Sequence, residues 1–230
     1  MTSTADDPHT PEDNSLRRLT PVLWLSLAAM LVTPYFSTNY LGRATATLLV
    51  GGTALLALRV SGARRGVLVA GNAIVALLTM SSVLSREVGP PDNALGAAGT
   101  ALLCLLLLIT PAIVVLRLAQ RPRITLDTVA GALAAYIQIG LFFASAFRLV
   151  DLTSTGNLFT GIDDPSIMDY QFFSFVTLTT LGYGNLVPAV DTGKSLAMVE
   201  AVLGQVFLVT VVAIAVGNLG SKVTEIRHPS

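Results

Sequence analysis

The sequence predicts an all-α membrane protein of six transmembrane helices, with one short re-entrant helix and a glycine-containing loop between the fifth and the sixth. Three observations carry that expectation. Hydrophobic residues make up 53% of the 230 and charged residues only 12%, about half the charged share of a soluble domain. So little polar surface cannot cover a core in water. The charges also fall between long apolar stretches rather than among them, as spanning helices of about 20 residues require. Finally, a long connection before the last stretch holds an aromatic, apolar segment too short to cross a bilayer.

The stretches follow in order. No charge occurs from Leu19 to Gly42, Ala44 to Leu58, Gly66 to Ser85, Asn93 to Leu116, or Thr128 to Phe147, and the last stretch, about Gly193 to Gly220, holds Lys194 at its start and one internal charge, Glu200. The second stretch is the shortest, and Arg43 and Arg59 can lengthen it by snorkelling. With the amino terminus inside, ten basic residues (Arg17, Arg18, Arg59, Arg64, Arg65, Arg117, Arg121, Arg123, Lys222, Arg227) fall on the cytoplasmic side and four (Arg43, Arg86, Arg148, Lys194) outside. That is the positive-inside bias, and five spans would break it. Both termini are therefore expected in the cytoplasm and the chain in the plasma membrane.

Within this frame, residues 1–18 read as a flexible cytoplasmic tail and not a signal peptide, since they lack a basic n-region. Residues 19–121 read as a four-helix transmembrane scaffold, 122–220 as a second domain, and 221–230 as a short cytoplasmic tail with no room for a cytosolic ligand-binding domain. Thr125 is placed to cap the fifth span, with Asp127 in its first turn at the positive end of the dipole. Gly131-x-x-x-Ala135 and Gly140-x-x-x-Ala144 allow close helix approach in lipid.

Net charge is zero, which gives no reason to expect a nucleic-acid partner. The single cysteine, Cys104, lies in a leucine run and reads as a small buried hydrophobe. His9 and His228 sit in the tails, away from any metal or catalytic cluster. No nucleophile–base pair or phosphate loop is present, so an enzyme is not expected. The absence of an internal repeat argues against a secondary transporter.

The connection from Val150 to Thr192 carries the chemistry. Its first half is acidic. Ser166-Ile167-Met168-Asp169 then fits a capping box, and Tyr170 to Thr179 suits a re-entrant helix. Next comes Thr180-Leu181-Gly182-Tyr183-Gly184, where two glycines flank one aromatic. Glycine opens backbone conformations closed to other residues, so successive carbonyls can face one axis. Four such strands would make rings of oxygens able to replace the water around a dehydrated cation.

At this point the chain resembles the pore module of the tetrameric potassium channels: outer helix, pore helix, selectivity-filter loop, inner helix. The resemblance covers about Thr125 to Gly220. It is closest in Phe173-Ser174-Phe175-Val176-Thr177-Leu178-Thr179-Thr180-Leu181-Gly182-Tyr183-Gly184-Asn185, followed by Pro188, and extends to Glu200-Ala201 and Gly204-Gln205, which are similar to the inner helix of bacterial ion channel proteins. Asn185 departs from the family, where Asp is commoner. The resemblance implies a fourfold homotetramer in a lipid bilayer, with K+ as the permeant ion and no cofactor. It implies K+ coordination by the carbonyls of Thr180, Leu181, Gly182 and Tyr183 and by the Thr180 hydroxyl, with Gly184 completing the filter.

Filter support is expected from Thr179, Asn185 and Glu200, and from Phe172 and Phe173 against the Tyr183 ring. Gly204 matches the inner-helix hinge position, though a packing glycine explains it equally. Leu208, Val212 and Val216 share one face of the last helix and would line the cavity. Glu200 has two readings. It is a brace between inner and pore helices, with Tyr136 or Gln138 as partner, or an interfacial carboxyl neutralised by Lys194 or headgroups. The functional alternatives to a K+-selective channel are a non-selective cation channel, which the aromatic Tyr183 argues against, and a non-conducting partner subunit.

A voltage sensor needs repeated basic residues through its fourth helix, and none lies between Asn93 and Leu116. Gating charge should therefore be about one elementary charge or less per subunit, where one charge is worth about 2.3 kcal/mol per 100 mV. A conductance–voltage curve as steep as that of a voltage-gated channel would contradict this.

Overall fold

The computed structural model describes residues 19–36, 40–84, 94–119 and 126–227. The expected tail at 1–18 and the Thr125 cap lie outside them. Among these described residues seven helices follow one another: α1 (Thr20–Phe36), α2 (Tyr40–Val60), α3 (Arg65–Leu84), α4 (Ala94–Ala119), α5 (Leu126–Thr153), α6 (Ile167–Leu178) and α7 (Asp191–Arg227). Among the described residues there is no strand, only an isolated antiparallel bridge between Phe159 and Pro188. The fold is all-α, and α7 continues as helix past Gly220, where a tail was expected.

Among the described residues, three helices contain segments long and apolar enough to cross a membrane: Ala97–Leu116, Asp127–Thr153 and Asp191–Val211. The first three helices contribute shorter apolar segments, Thr20–Tyr35, Ala44–Val60 and Arg65–Met80. Helix α2 does include Arg43 and Arg59 at its ends, as the short charge-free stretch required. It stops in a Schellman turn, with Ala63 N donating to Leu58 O and Gly62 N to Arg59 O, and α3 starts at once.

Apolar side chains on facing helices merge into a shared core. Ala29 of α1, Val50, Ala54, Leu55 and Leu58 of α2, Val75 of α3, Leu106 and Leu107 of α4, and Ile137 and Leu141 of α5 form one cluster. Cys104 is buried, as its leucine run suggests. A second cluster joins Leu19, just before α1, and Val22 of α1 to Ala57, Val114, Ala134 and Ala135. Helix α5 is thus packed against α1 and α4 on one side and carries α6 and α7 on the other.

The amino ends of α1 and α5 are tied together. Oδ1 of Asp127, in the first turn of α5, accepts from Leu19 N at 2.8 Å and Thr20 N at 3.2 Å. Asp127 was expected to serve the dipole of its own helix, yet it also caps a helix 107 residues away in sequence. The carboxylate meets backbone donors that α1 leaves without intrahelical acceptors. Replacing Asp127 by Ala should cost about 1–2 kcal/mol of stability, the worth of a strong cap. Thermal unfolding of the purified protein in detergent checks this, and an unchanged melting temperature would show that the cap carries no load.

Candidate functional site

Helix α6 begins as the sequence indicates. Ser166 is the N-cap, its hydroxyl accepting from Asp169 N at 3.3 Å while Asp169 Oδ2 accepts from Ser166 N at 2.8 Å. This closed capping box fixes the start of a 12-residue helix that stops well short of a bilayer crossing. Burial and then the hydrogen bond to Asp151 push the Tyr170 phenol above its ordinary range, so it remains a donor at physiological pH. Asp151, at the end of α5, also accepts Leu158 N at 2.7 Å through its other oxygen.

The carboxyl end of α6 turns directly into Thr180–Gly184. Thr180 N donates to Thr177 O at 2.9 Å, and Leu181 N and Gly182 N donate to Val176 O at 2.9 and 3.4 Å. The amides of the loop are thus directed back at the helix. Thr180, Gly182 and Gly184 have φ of +60°, +57° and +79°, so every second residue is left-handed. Alternating handedness is what lets successive carbonyls face one side, and it costs the β-branched Thr180 strain of about 1–3 kcal/mol. Residues 180–185 are all exposed in the single chain.

Beyond the loop, the chain is pinned to the segment before α6. Thr160 N donates to Val187 O at 3.0 Å and Ala189 N to Leu158 O at 2.7 Å. Leu158, Phe159 and Leu186 complete an apolar cluster with Phe143, Phe147, Tyr170 and Phe173.

The expected support residues fall into two groups. Phe172 stacks on Tyr183, ring centroids 6.0 Å apart and 3° from parallel. Phe173 does not share that role: its ring meets Phe147 at 4.8 Å and Phe159 at 5.1 Å. Adjacent helical residues point about 100° apart, so one faces the loop and the next faces α5. Thr179 bonds its hydroxyl to Phe175 O at 2.6 Å, and Asn185 is exposed beside the glycines. Leu208 is 49% exposed. Val212 and Val216 lie on the helical continuation of α7, their side chains outside the described residues.

Glu200 is fully buried, and its partner is neither Tyr136 nor Gln138. Ser174 of α6 lies within hydrogen-bond distance of Glu200 Oε1 and of Gly140 O, the latter at 2.8 Å, sharing one hydroxyl hydrogen between them. Tyr136 instead donates to Leu178 O at 3.1 Å, and neither amide atom of Gln138 makes a hydrogen bond. Lys194 pairs with Asp191 at 3.0 Å rather than with Glu200. Ser174 was missed, although it is a polar residue in the aromatic run Phe172–Phe175. Asp151 and Tyr170 carry no sequence signal that separates them from ordinary surface or packing residues, and Tyr136 was singled out for Glu200 rather than for Leu178 O.

Residues 132–220 match the ion channel family. A 76-residue stretch is 36% identical to two-pore potassium channel 4 of Arabidopsis thaliana, covering 33% of this chain and 24% of that protein, so the match spans about a quarter of that relative's length. No solved structure gives a significant match.

Removing the Ser174 hydroxyl should leave the buried Glu200 Oε1 short of a donor inside the protein, whereas Gly140 O keeps its helical partner within α5. Ser174→Ala should therefore destabilise the fold by about 1–3 kcal/mol, read as a lower midpoint in thermal or denaturant unfolding. Wild-type stability would mean that Glu200 finds another partner.

Proposed function

Because residues 132–220 match the ion channel family, we propose that the chain is one subunit of a fourfold homomer that passes K+ selectively across the plasma membrane. The observation that carries this reading is the run Thr180–Gly184, left-handed at every second residue and delivered by a capped, non-spanning helix between two long helices. Carbonyls of Thr180, Leu181, Gly182 and Tyr183 would replace the hydration shell of the ion. Phe172 would hold the Tyr183 ring, and Glu200 with Ser174 would tie the inner helix α7 to the pore helix α6.

Fourfold assembly has its own support. Met198, Val202, Val206 and Val209 of α7 are 64, 63, 56 and 57% exposed, and Leu181 and Tyr183 of the filter are likewise open. A filter strand built from one chain supplies one side of each oxygen ring. Three further copies would complete the rings and cover part of α7. Leu208, Val212 and Val216 would then line the cavity below.

Six spans are favoured by parity. Asp127 joins the starts of α1 and α5, so those starts lie at the same membrane face. The chain must cross an even number of times between them, and α1 to α4 all crossing satisfies this. A helix such as α1, 17 residues long, spans about 26 Å at 1.5 Å per residue, within reach of a core of about 30 Å. With six crossings both termini would lie on one face, and the positive-inside bias favours the cytoplasmic one.

Purified protein in planar bilayers under opposed K+ and Na+ gradients should give a reversal potential that follows K+. Gly184→Ala should abolish selective conduction without preventing membrane insertion, because alanine at φ +79° strains the filter and leaves the spans untouched. A wild-type reversal potential indifferent to the K+ gradient would point to a non-selective channel. No conductance at all would point to a silent partner subunit.

A further inference from the structure

The last carbonyls of a helix have no donors from within it, and in α6 each can be traced. Phe175 O accepts Thr179 N at 3.1 Å, Val176 O accepts Leu181 N at 2.9 Å, and Thr177 O accepts Thr180 N at 2.9 Å. The first three are thus taken by the chain on its way into the filter. The fourth, Leu178 O, takes the Tyr136 hydroxyl of α5 at 3.1 Å. The Tyr136 ring is in turn held against Phe207 of α7, centroids 5.5 Å apart.

Gly204 of α7 meets the same carbonyl. A Cβ built there would lie 2.4 Å from Leu178 O and 3.2 Å from Leu178 C. Both are backbone atoms, which cannot rotate away as a side-chain tip can. The peptide joining Leu178 to Thr179 is planar. Turning its carbonyl therefore also swings the Thr179 N–H off Phe175 O, one residue before Thr180.

We propose that Tyr136 is a positioning residue for the selectivity filter, acting on the Leu178 carbonyl, and that Gly204 is the gap through which α7 rests on that carbonyl, not a bending point. The inference rests on the channel reading above. Outer, pore and inner helices meet at a single backbone oxygen, next to the strand that would hold the ions. Tyr136→Phe keeps the ring packing with Phe207 but removes the donor. The Leu178 peptide then turns toward another donor, and the first filter residue follows it. Gly204→Ala displaces the same peptide from the opposite side.

The test uses the full-length protein in planar bilayers, with the K+-to-Na+ permeability ratio and the mean open time measured for wild type, Tyr136→Phe, Gly204→Ala and the double variant. Each single variant should lower the permeability ratio about fivefold, the factor that one hydrogen bond of ordinary net strength carries. The double variant should fall no further than the singles, since both act on one peptide. Tyr136→Trp, which restores a donor but not at the phenol position, should not rescue the ratio. Wild-type permeability ratios in Tyr136→Phe overturn the positioning role. A Gly204→Ala channel with altered open time and unchanged selectivity overturns the spacer role in favour of a hinge. Wild type that does not select K+ overturns the channel reading itself, a failure distinct from either variant's.

Discussion

Backbone oxygens that face an ion cannot also accept hydrogen bonds from the chain, so a strand that offers them lacks the ladder that holds other extended segments. In the proposed channel the run Thr180–Gly184 would be under this constraint, and it is held from behind. Its leading amides return to Val176 and Thr177 of α6, its tyrosine ring leans on Phe172, and the segment after it is bonded to Leu158 and Thr160. The strain at Thr180 is tolerated because the surroundings fix the strand on both sides. Much of the polar chemistry in this half of the chain can be read as support for that one loop.

Support of that kind needs buried polar contacts, which are costly in an apolar setting unless satisfied. The capping box at Ser166 faces the wet end of α6 and is local. Ser174, by contrast, links α5, α6 and α7 from a fully buried position. Asp151 does the same nearer the surface, gathering Leu158 and Tyr170. Helix α6 is too short to be stable alone, and these ties together with the Phe143–Phe147–Phe159–Phe173 cluster hold it in place.

What the sequence made legible is what repeats locally or rests on composition. The apolar stretches, the capping box, the glycine spacing of Thr180–Gly184 and the short α6 all depend on neighbours within a few residues, and α6 was placed to within a turn. Long-range partners were not legible. Asp127 looks like an ordinary first-turn acid until α1 is brought to it across 108 residues. Glu200 stood out as an intramembrane charge, but its partner Ser174 is 26 residues away on another helix. Tyr136 and Gln138 are as polar as Ser174, and only helix rotation decides which of them reaches Glu200. Phe172 and Phe173 were separated by the same rotation.

Helix α5 has two working faces, and the division explains the build of the whole chain. Ile137 and Leu141 belong to the core shared with α1 to α4, while Tyr136, Gly140, Phe143 and Phe147 meet the pore elements. Residues one position apart therefore serve different halves: Tyr136 reaches the end of α6, and Ile137 sits among the leucines of α2 and α4. The scaffold carries no row of charges on α4 that a field could move, yet it is joined to the pore half along most of α5 and at the Asp127 cap. Close-packed interiors transmit displacement rather than absorbing it. A shift of α1 or α4 against α5 would thus be felt at the carbonyls of Gly140 and Leu178, two of the points where α5 holds α6.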